Sequence, residues 1–309
     1  MTEQSSTRGA TSDGTRAGFV AIVGAPNVGK STLLNQMVGT KVSIVSPKVQ
    51  TTRARVLGIC IEGRSQIVFI DTPGIFTPRR RLDRAMVAAA WGGAGDADDI
   101  LLLIDATRGI DDNSRAIIDR LTATERKAIV AINKVDLVKK PNLLDLTNDL
   151  NRCGVASEIF MISAQTGEGV PDLLAFLGEN MIEGPWLFPE DQISDMPQRL
   201  LAAEITREKL YLKLHQELPY ATTIETENWE QRDDGSVKID QIIYVERPSQ
   251  KAIVLGKGGR QIKALGEAAR RELEEMLDVR VHLFLFVKVR EKWGDDPDRY
   301  RDWGLDFNA

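Results

Sequence analysis

Eight residues of this chain, Gly24-Ala25-Pro26-Asn27-Val28-Gly29-Lys30-Ser31, fit the spacing G-x-x-x-x-G-K-[ST]. Glycines in that pattern let backbone amides curl around phosphate oxygens. The pattern follows the strand-like residues 19–23 and runs into a helical stretch starting at Thr32, whose positive N-terminal end adds to the cradle. Lys30 would meet the β- and γ-phosphates of a nucleoside triphosphate, and the Ser31 hydroxyl would ligate Mg²⁺. Asp71-Thr72-Pro73-Gly74 follows a second strand-like run, residues 67–70. A carboxylate at such a strand end can hold the same ion through water. Gly74 can offer its N–H to the γ-phosphate, so the loop after it would sense whether that phosphate is present.

Asn133-Lys134-Val135-Asp136 comes after a third such run, residues 128–132. One carboxylate, that of Asp136, can accept hydrogen bonds from guanine N1–H and the exocyclic amine together. Adenine has no N1–H to give, and sites of this kind reject the wrong analogue by roughly 10⁴-fold. Lys134 would pack its stem along the base, and Asn133 would brace the loops. Ser163-Ala164 could give a backbone N–H to guanine O6. Between the first two strands lies the loop-like SPKVQTTRAR, residues 46–55. A threonine there can reach Mg²⁺ only when the γ-phosphate is present, and Thr52 is preferred to Thr51. Two β-formers entering the next strand is the plainer alternative.

The expected nucleotide contacts are thus Gly24, Ala25, Pro26, Asn27, Val28, Gly29, Lys30, Ser31 and Thr32; Asp71, Thr72, Pro73, Gly74 and Ile75; Asn133, Lys134, Val135 and Asp136; and Ser163 with Ala164. Lys30, Thr52 and Gly74 would serve hydrolysis, and Ser31, Thr52 and Asp71 the metal. Position 75 is where some GTPases carry a Gln that orients the attacking water. Ile75 cannot do this, so slow intrinsic hydrolysis is expected.

These motifs need a scaffold that brings strand ends together. Apolar, β-branched runs at residues 19–23, 56–61, 67–70, 100–104, 128–132 and 159–162 alternate with helical stretches. That alternation predicts an α/β fold, a doubly wound and mostly parallel sheet, which binds ligands at the carboxyl ends of its strands. Three prolines, Pro185, Pro189 and Pro197, mark residues 184–198 as an interdomain linker. Beyond it the order is helix, strand, strand, helix, helix, strand, the arrangement of a KH domain, with Gly256-Lys257-Gly258-Gly259 between the last two helices. A G-x-x-G loop there can approach nucleic-acid phosphates; a helix cap would use the same glycines. Residues 247–266 hold Arg247, Lys251, Lys257, Arg260 and Lys263 and no acid, which points to a polyanion. Gly256, Lys257, Gly258, Gly259, Arg260, Lys263 and Lys251 are the candidate RNA contacts.

Composition sets outer bounds. The 309 residues suit two domains, with 42% hydrophobic and 28% charged residues. The net charge of −5 excludes a simple polycation. No apolar run is long enough to span a membrane and no secretory signal is evident, so a cytoplasmic setting is expected. Cys60 and Cys153 match no metal spacing and build no disulfide framework. Residues 1–16 read as a disordered tail, 17–183 as the nucleotide domain, 199–290 as the KH domain and 291–309 as a C-terminal tail. Trp186, Trp229, Trp293 and Trp303 suggest packing, His215 and His282 are isolated, and Arg79-Arg80-Arg81 suggests a solvated face.

The residues GAPNVGKSTLLN, QTTR, DTPGIF, NKVD and SAQTGEGV, then PWLFPEDQISD and IVLGKGGRQIKALG, make the chain resemble the Era family of bacterial GTPases nearly end to end. The resemblance implies a Ras-like P-loop GTPase domain joined to a KH domain. It implies Mg²⁺ and GTP or GDP as ligands. The implied partners are small-subunit ribosomal RNA near its 3′ end and the small ribosomal subunit, with RNA and not DNA bound, a role in subunit assembly, and peripheral contact with the inner membrane. Two departures stand out: a longer N-terminal tail, and a Gly- and Asp-rich stretch at residues 91–99 where the family has a helix. Two competing readings remain. In one, the C-terminal domain binds a protein or a membrane surface; in the other, the nucleotide domain is catalytically idle.

Overall fold

The apolar runs settle into a sheet covered on both faces. In this computed structural model, which describes residues 14–48, 51–53, 55–78, 80–214 and 218–309, the strands are β1 (Arg16–Gly24), β2 (Val56–Glu62), β3 (Ser65–Asp71), β4 (Asp99–Asp105), β5 (Ala128–Asn133), β6 (Ala156–Met161) and β7 (Ile182–Glu183). They interleave with helices α1 (Lys30–Val38), α2 (Arg81–Asp96), α3 (Asp112–Ala123), α4 (Lys140–Cys153) and α5 (Val170–Asn180). The spatial order is β2-β3-β1-β4-β5-β6, with β7 also paired to β1. All neighbours are parallel except β2 with β3 and β7 with β1. Strand alternation sends Ala21, Val23, Val68, Leu102 and Val130 into one core and Val20, Ile22, Ile67, Leu103 and Ala131 into the other. Burial on both faces is why these strands read as continuous apolar runs.

The Gly-rich stretch does stay helical, through Asp96. A Cβ on Gly93 would lie 3.3 Å from Ile70 Cγ2 and Thr72 Cγ2, so the missing side chain lets α2 approach the strand that carries Asp71. Residues 184–198 are a docked strap, not a loose linker. Leu187 and Phe188 donate backbone N–H groups to Gln66 Oε1, Ile59 donates to Ile193 O, and Ser194 bridges to Gly58. The strap occupies the otherwise open edge of β2.

The second unit follows the expected order: α6 (Gln198–Lys213), β8 (Thr222–Gln231), β9 (Val237–Val245), α7 (Pro248–Leu255), α8 (Arg260–Leu277) and β10 (Val281–Val289). Its sheet runs β10-β9-β8, parallel then antiparallel. Leu265, Ala269 and Leu273 of α8 pack toward it.

Both chain ends need correction. Arg16 belongs to β1, pairing with Ser65 and Glu183, because its backbone completes the sheet between β3 and β7. Residues 1–13 lie outside the described residues. Residues 291–309 are no loose tail: they form a 3₁₀ turn, Trp293–Asp295, and helix α9 (Pro297–Asp302). Trp293, Tyr300, Trp303 and Leu305 bury themselves against Leu82, Ala85 and Met86 of α2. The expected solvated face at Arg81 is likewise partly a stacking surface, its guanidinium 4.4 Å from the Phe307 ring centre. Arg79 and His215 lie outside the described residues. Cys60 and Cys153 are free, and no described helix is long and apolar enough to cross a membrane.

Candidate nucleotide and nucleic-acid sites

β1 ends at Gly24 and α1 begins at Lys30, so the phosphate loop hangs on a strand-to-helix turn. Gly29 sits there at φ 105°, and a Cβ on it would come within 2.3 Å of Asn133 Nδ2. Only glycine allows that approach. Lys30 folds back over the loop, its Nζ 3.2 Å from the carbonyls of Gly24 and Ala25. Burial lowers the ammonium's pKa to about 8, although the Asp71 carboxylate opposes the shift. A cation held at this cost in a loop of backbone N–H groups suits a polyanion.

Ser31, Thr52 and Asp71 come together as expected. Ser31 Oγ donates to Asp71 Oδ2 at 2.8 Å and lies 3.0 Å from Thr52 Oγ1, which is itself 3.3 Å from Asp71 Oδ2. Ser43, not foreseen, adds a third hydroxyl at 2.9 Å. Asp71 Oδ1 is buried and has no hydrogen-bond partner. Burial raises this carboxyl's pKa, against Lys30 and the three hydroxyls. One carboxylate with hydroxyls and an orphaned oxygen fits a hard cation that keeps several waters. No cluster of three or more His, Cys, Asp or Glu side chains exists among the described residues to hold a metal by other means. The Thr51 hydroxyl instead bonds Lys48 O and Ser46 Oγ within its own loop, which leaves Thr52 as the threonine that faces Asp71.

Thr72 donates to Ile22 O, and Gly74 packs against Pro26. Ile75 departs from its expected role as a nucleotide contact: its side chain enters the core and its N–H goes to Gly24 O. Ala25 and Val28 likewise bury their side chains, so only their main chains can face a ligand.

At the end of β5, Asn133 ties three loops. Its Nδ2 donates to Val28 O at 2.8 Å, while Oδ1 accepts from the N–H groups of Lys134 (2.8 Å) and Ala164 (2.9 Å). Lys134 adopts φ 67° and reaches Asn27 O at 2.9 Å and Asp105 Oδ2 at 2.5 Å. Asp136 is exposed on the following turn, Val135–Leu137. The expected role of Ser163-Ala164 needs correction. Ser163 N–H donates to Glu168 O and Ala164 N–H to Asn133, so both amides serve loop bracing. Arg108, missed in the sequence, lines the same cleft beside Pro26 and donates to its carbonyl. The available signal was its place three residues after Asp105, which ends β4.

In the second unit the G-x-x-G loop joins α7 to α8 through a 3₁₀ turn, with Gly256, Gly258 and Gly259 at φ 69°, 62° and 74°. Lys257, Arg260 and Lys263 are exposed and Lys251 is half-buried. Arg260 Nε closes the loop onto Lys257 O. The loop therefore combines exposed cations with open space at Gly258 and Gly259.

A phosphate loop, a strand-end Asp and an NKVD turn on a Ras-like sheet, followed by a KH domain, define a two-domain P-loop GTPase. Family models agree: "50S ribosome-binding GTPase" matches residues 19–134 and "KH domain" residues 217–294. GTPase Era of Brucella suis is 62% identical over 293 residues, covering 95% of this chain and 94% of its own length. GTPase Era of Rhizobium meliloti matches equally, 62% over 293 residues with the same coverage. An Aquifex aeolicus Era bound to GDP and AlF₄⁻ superposes with a TM-score of 0.89 at 41% identity, over 94% of this chain and 99% of that one. An Era in complex with MgGDPNP and nucleotides 1506–1542 of 16S ribosomal RNA gives the same score, identity and coverage. The chain belongs to the Era family of GTPases.

Proposed function

We propose that this chain is a Mg²⁺-dependent GTPase that grips small-subunit ribosomal RNA near its 3′ end through the KH loop and acts in assembling the small subunit. The observation that carries the metal and nucleotide part is the meeting of Ser31, Thr52 and Asp71 beside the phosphate loop, with Asp71 Oδ1 buried and unpaired. Mg²⁺ bound there would neutralise charge on the β- and γ-phosphates. Ser31 and Thr52 would ligate it directly and Asp71 through water, while Lys30 places its ammonium against the same phosphates. Asp136 would read the base, with Lys134 fixed along it by Asp105. The inward packing of Ile75 leaves the attacking water without a side chain at that position, which supports slow hydrolysis in the absence of a partner. For the RNA part, the support is the acid-free loop and the RNA-bound relative that matches 94% of the chain.

Filter binding of a single-stranded RNA with the sequence of the small-subunit 3′ end tests the reading. A Cβ on Gly258 meets nothing within 4 Å, and Asp tolerates positive φ better than most residues, so Gly258→Asp should fold. Its carboxylate should repel phosphate and weaken binding at least tenfold. Unchanged RNA affinity would remove the KH loop from the reading, and a Lys30→Ala protein that still released phosphate at the parent rate would remove the GTPase site.

A further inference from the structure

The loop that carries Thr52 is tied to the second unit at five points, Lys41, Val45, Lys48, Thr51 and Arg53. Lys41 pairs with Glu208 of α6 and Glu272 of α8, and Val45 N–H donates to Glu208 Oε1 at 2.7 Å. Lys48 caps the end of α6 at the carbonyls of Tyr211 and Leu214. Arg207, fully buried, donates to Thr51 O.

Arg53 is buried as deeply as Arg207. Its side chain is 1% exposed, its Nη1 donates to Thr222 O at 3.0 Å, and its Nη2 donates to Tyr211 OH at 2.9 Å. The guanidinium carbon lies 5.4 Å from the Trp293 ring centre, 5.9 Å from Trp303 and 6.0 Å from Tyr211. Cation–π contact with three rings and two directed hydrogen bonds hold a guanidinium far more rigidly than an exposed ion pair would. One residue earlier, Thr52 points its hydroxyl at Ser31 and Asp71. Among the described residues of the nucleotide domain, the Thr52 hydroxyl meets the Ser31 hydroxyl and the Asp71 carboxylate. The rigid anchors on either side, Arg207 at Thr51 and the aromatic cage at Arg53, both belong to the C-terminal part of the chain.

We propose that Arg53 is a positioning residue for Thr52: seated among Tyr211, Trp293 and Trp303, it fixes the backbone that aims the Thr52 hydroxyl at the metal and γ-phosphate. Hydrolysis then depends on a cage that touches neither nucleotide nor metal. The inference rests on the reading of Thr52 as a ligand present only with the triphosphate. A ligating oxygen misplaced by about 1 Å can cost on the order of 100-fold in rate.

The test uses the full chain and single-turnover GTP hydrolysis across a Mg²⁺ series, with GDP affinity measured alongside. Arg53→Ala should slow hydrolysis tenfold or more and raise the Mg²⁺ needed for half-maximal rate. GDP affinity should stay within about twofold, since Thr52 serves only the triphosphate. Tyr211→Phe, a smaller change that removes one of the two hydrogen bonds, should shift rate and Mg²⁺ dependence in the same direction by less. The double variant Thr52→Ala with Arg53→Ala should be no slower than Thr52→Ala alone, because coupled residues are not additive. Parent-like rate and Mg²⁺ dependence in Arg53→Ala, or additive losses in the double variant, would overturn the positioning role while leaving Thr52 as ligand. Parent-like hydrolysis in Thr52→Ala would instead remove the ligand reading and this inference with it. Loss of GDP affinity in both Arg53→Ala and Tyr211→Phe would make the cage a general scaffold and refute the specific role.

Discussion

Asn133 offers the sharpest test of how the NKVD loop is built. It is 2% exposed, and its amide joins the phosphate loop (Val28 O), its own turn (Lys134 N–H) and the loop after β6 (Ala164 N–H). Asn133→Ala removes three hydrogen bonds, each worth about 1 kcal/mol net, and leaves two donors and an acceptor in a dry environment at about 1–3 kcal/mol apiece if no water enters. The summed cost is therefore at least about 3 kcal/mol. Because Lys134 and Asp136 ride on this turn, most of it should appear in nucleotide binding, as a loss of about 150-fold. Asn133→Asp separates the contributions: both acceptor bonds survive, while the group facing Val28 O becomes an acceptor and repels it. Isothermal calorimetry with Mg²⁺ and GDP should rank parent above Asp above Ala. An Ala variant that binds GDP within threefold of parent at unchanged thermal stability would refute the argument that this amide assembles the pocket.

Asp136→Asn should shift preference from guanine toward xanthine nucleotides, read as competition against labelled GTP; an unchanged preference would show that another group reads the base. Burial pushes the Cys60 thiol up to about 12 from 9.0, with Glu62 adding to it. At pH 8 its thiolate is then much scarcer than that of an ordinary thiol, and alkylation at Cys60 should be at least about tenfold slower in the folded protein than in the denatured one. The sign for stability follows: between pH 9 and 12 the unfolded chain has lost this proton and the native one has not, so Cys60 lowers stability as pH rises through that window. Mass-spectrometric mapping of alkylation that found fast labelling of Cys60 at pH 8 would contradict its placement. Trp293 is 2% exposed and donates from Nε1 to Ala221 O at 3.0 Å, so Trp293→Ala should cost about 3–5 kcal/mol in denaturant unfolding. A loss below 1 kcal/mol would mean that residues 291–309 do not dock as described.

The nucleotide domain was legible in the sequence because its information is local. Each β-branched run is followed within a few positions by its motif, the glycine-rich turn after β1, Asp71 at the end of β3 and NKVD at the end of β5, and parallel pairing converts that order along the chain into proximity at one sheet edge. The KH unit was legible for the same reason: its elements kept their order and their alternation, Val281, Leu283, Leu285 and Val287 facing inward. What failed were roles assigned to single residues where the structure offered a better partner. Ile75 found a core, and the amides of Ser163 and Ala164 found Glu168 and Asn133. Nothing in the local sequence distinguishes a backbone N–H kept for a ligand from one already bound.

The contacts between the two units were illegible for a different reason. Arg53 sits in a polar stretch, and its partners Tyr211, Thr222, Trp293 and Trp303 are 158 or more positions away. A buried guanidinium without aromatic faces and carbonyls around it would be strongly destabilising, so the cage and the charge only make sense together. Read singly, the arginine looks like a solvated loop residue and the tryptophans like a sticky tail. The same logic explains why Lys48 and Arg207 carried no signal, since each satisfies a carbonyl contributed by the other unit. A loop whose cations Lys41, Lys48 and Arg53 find their partners in another unit, in a chain whose last nineteen residues are aromatic-rich, is therefore the pattern to search for in related two-domain GTPases: it marks a loop held from outside its own domain.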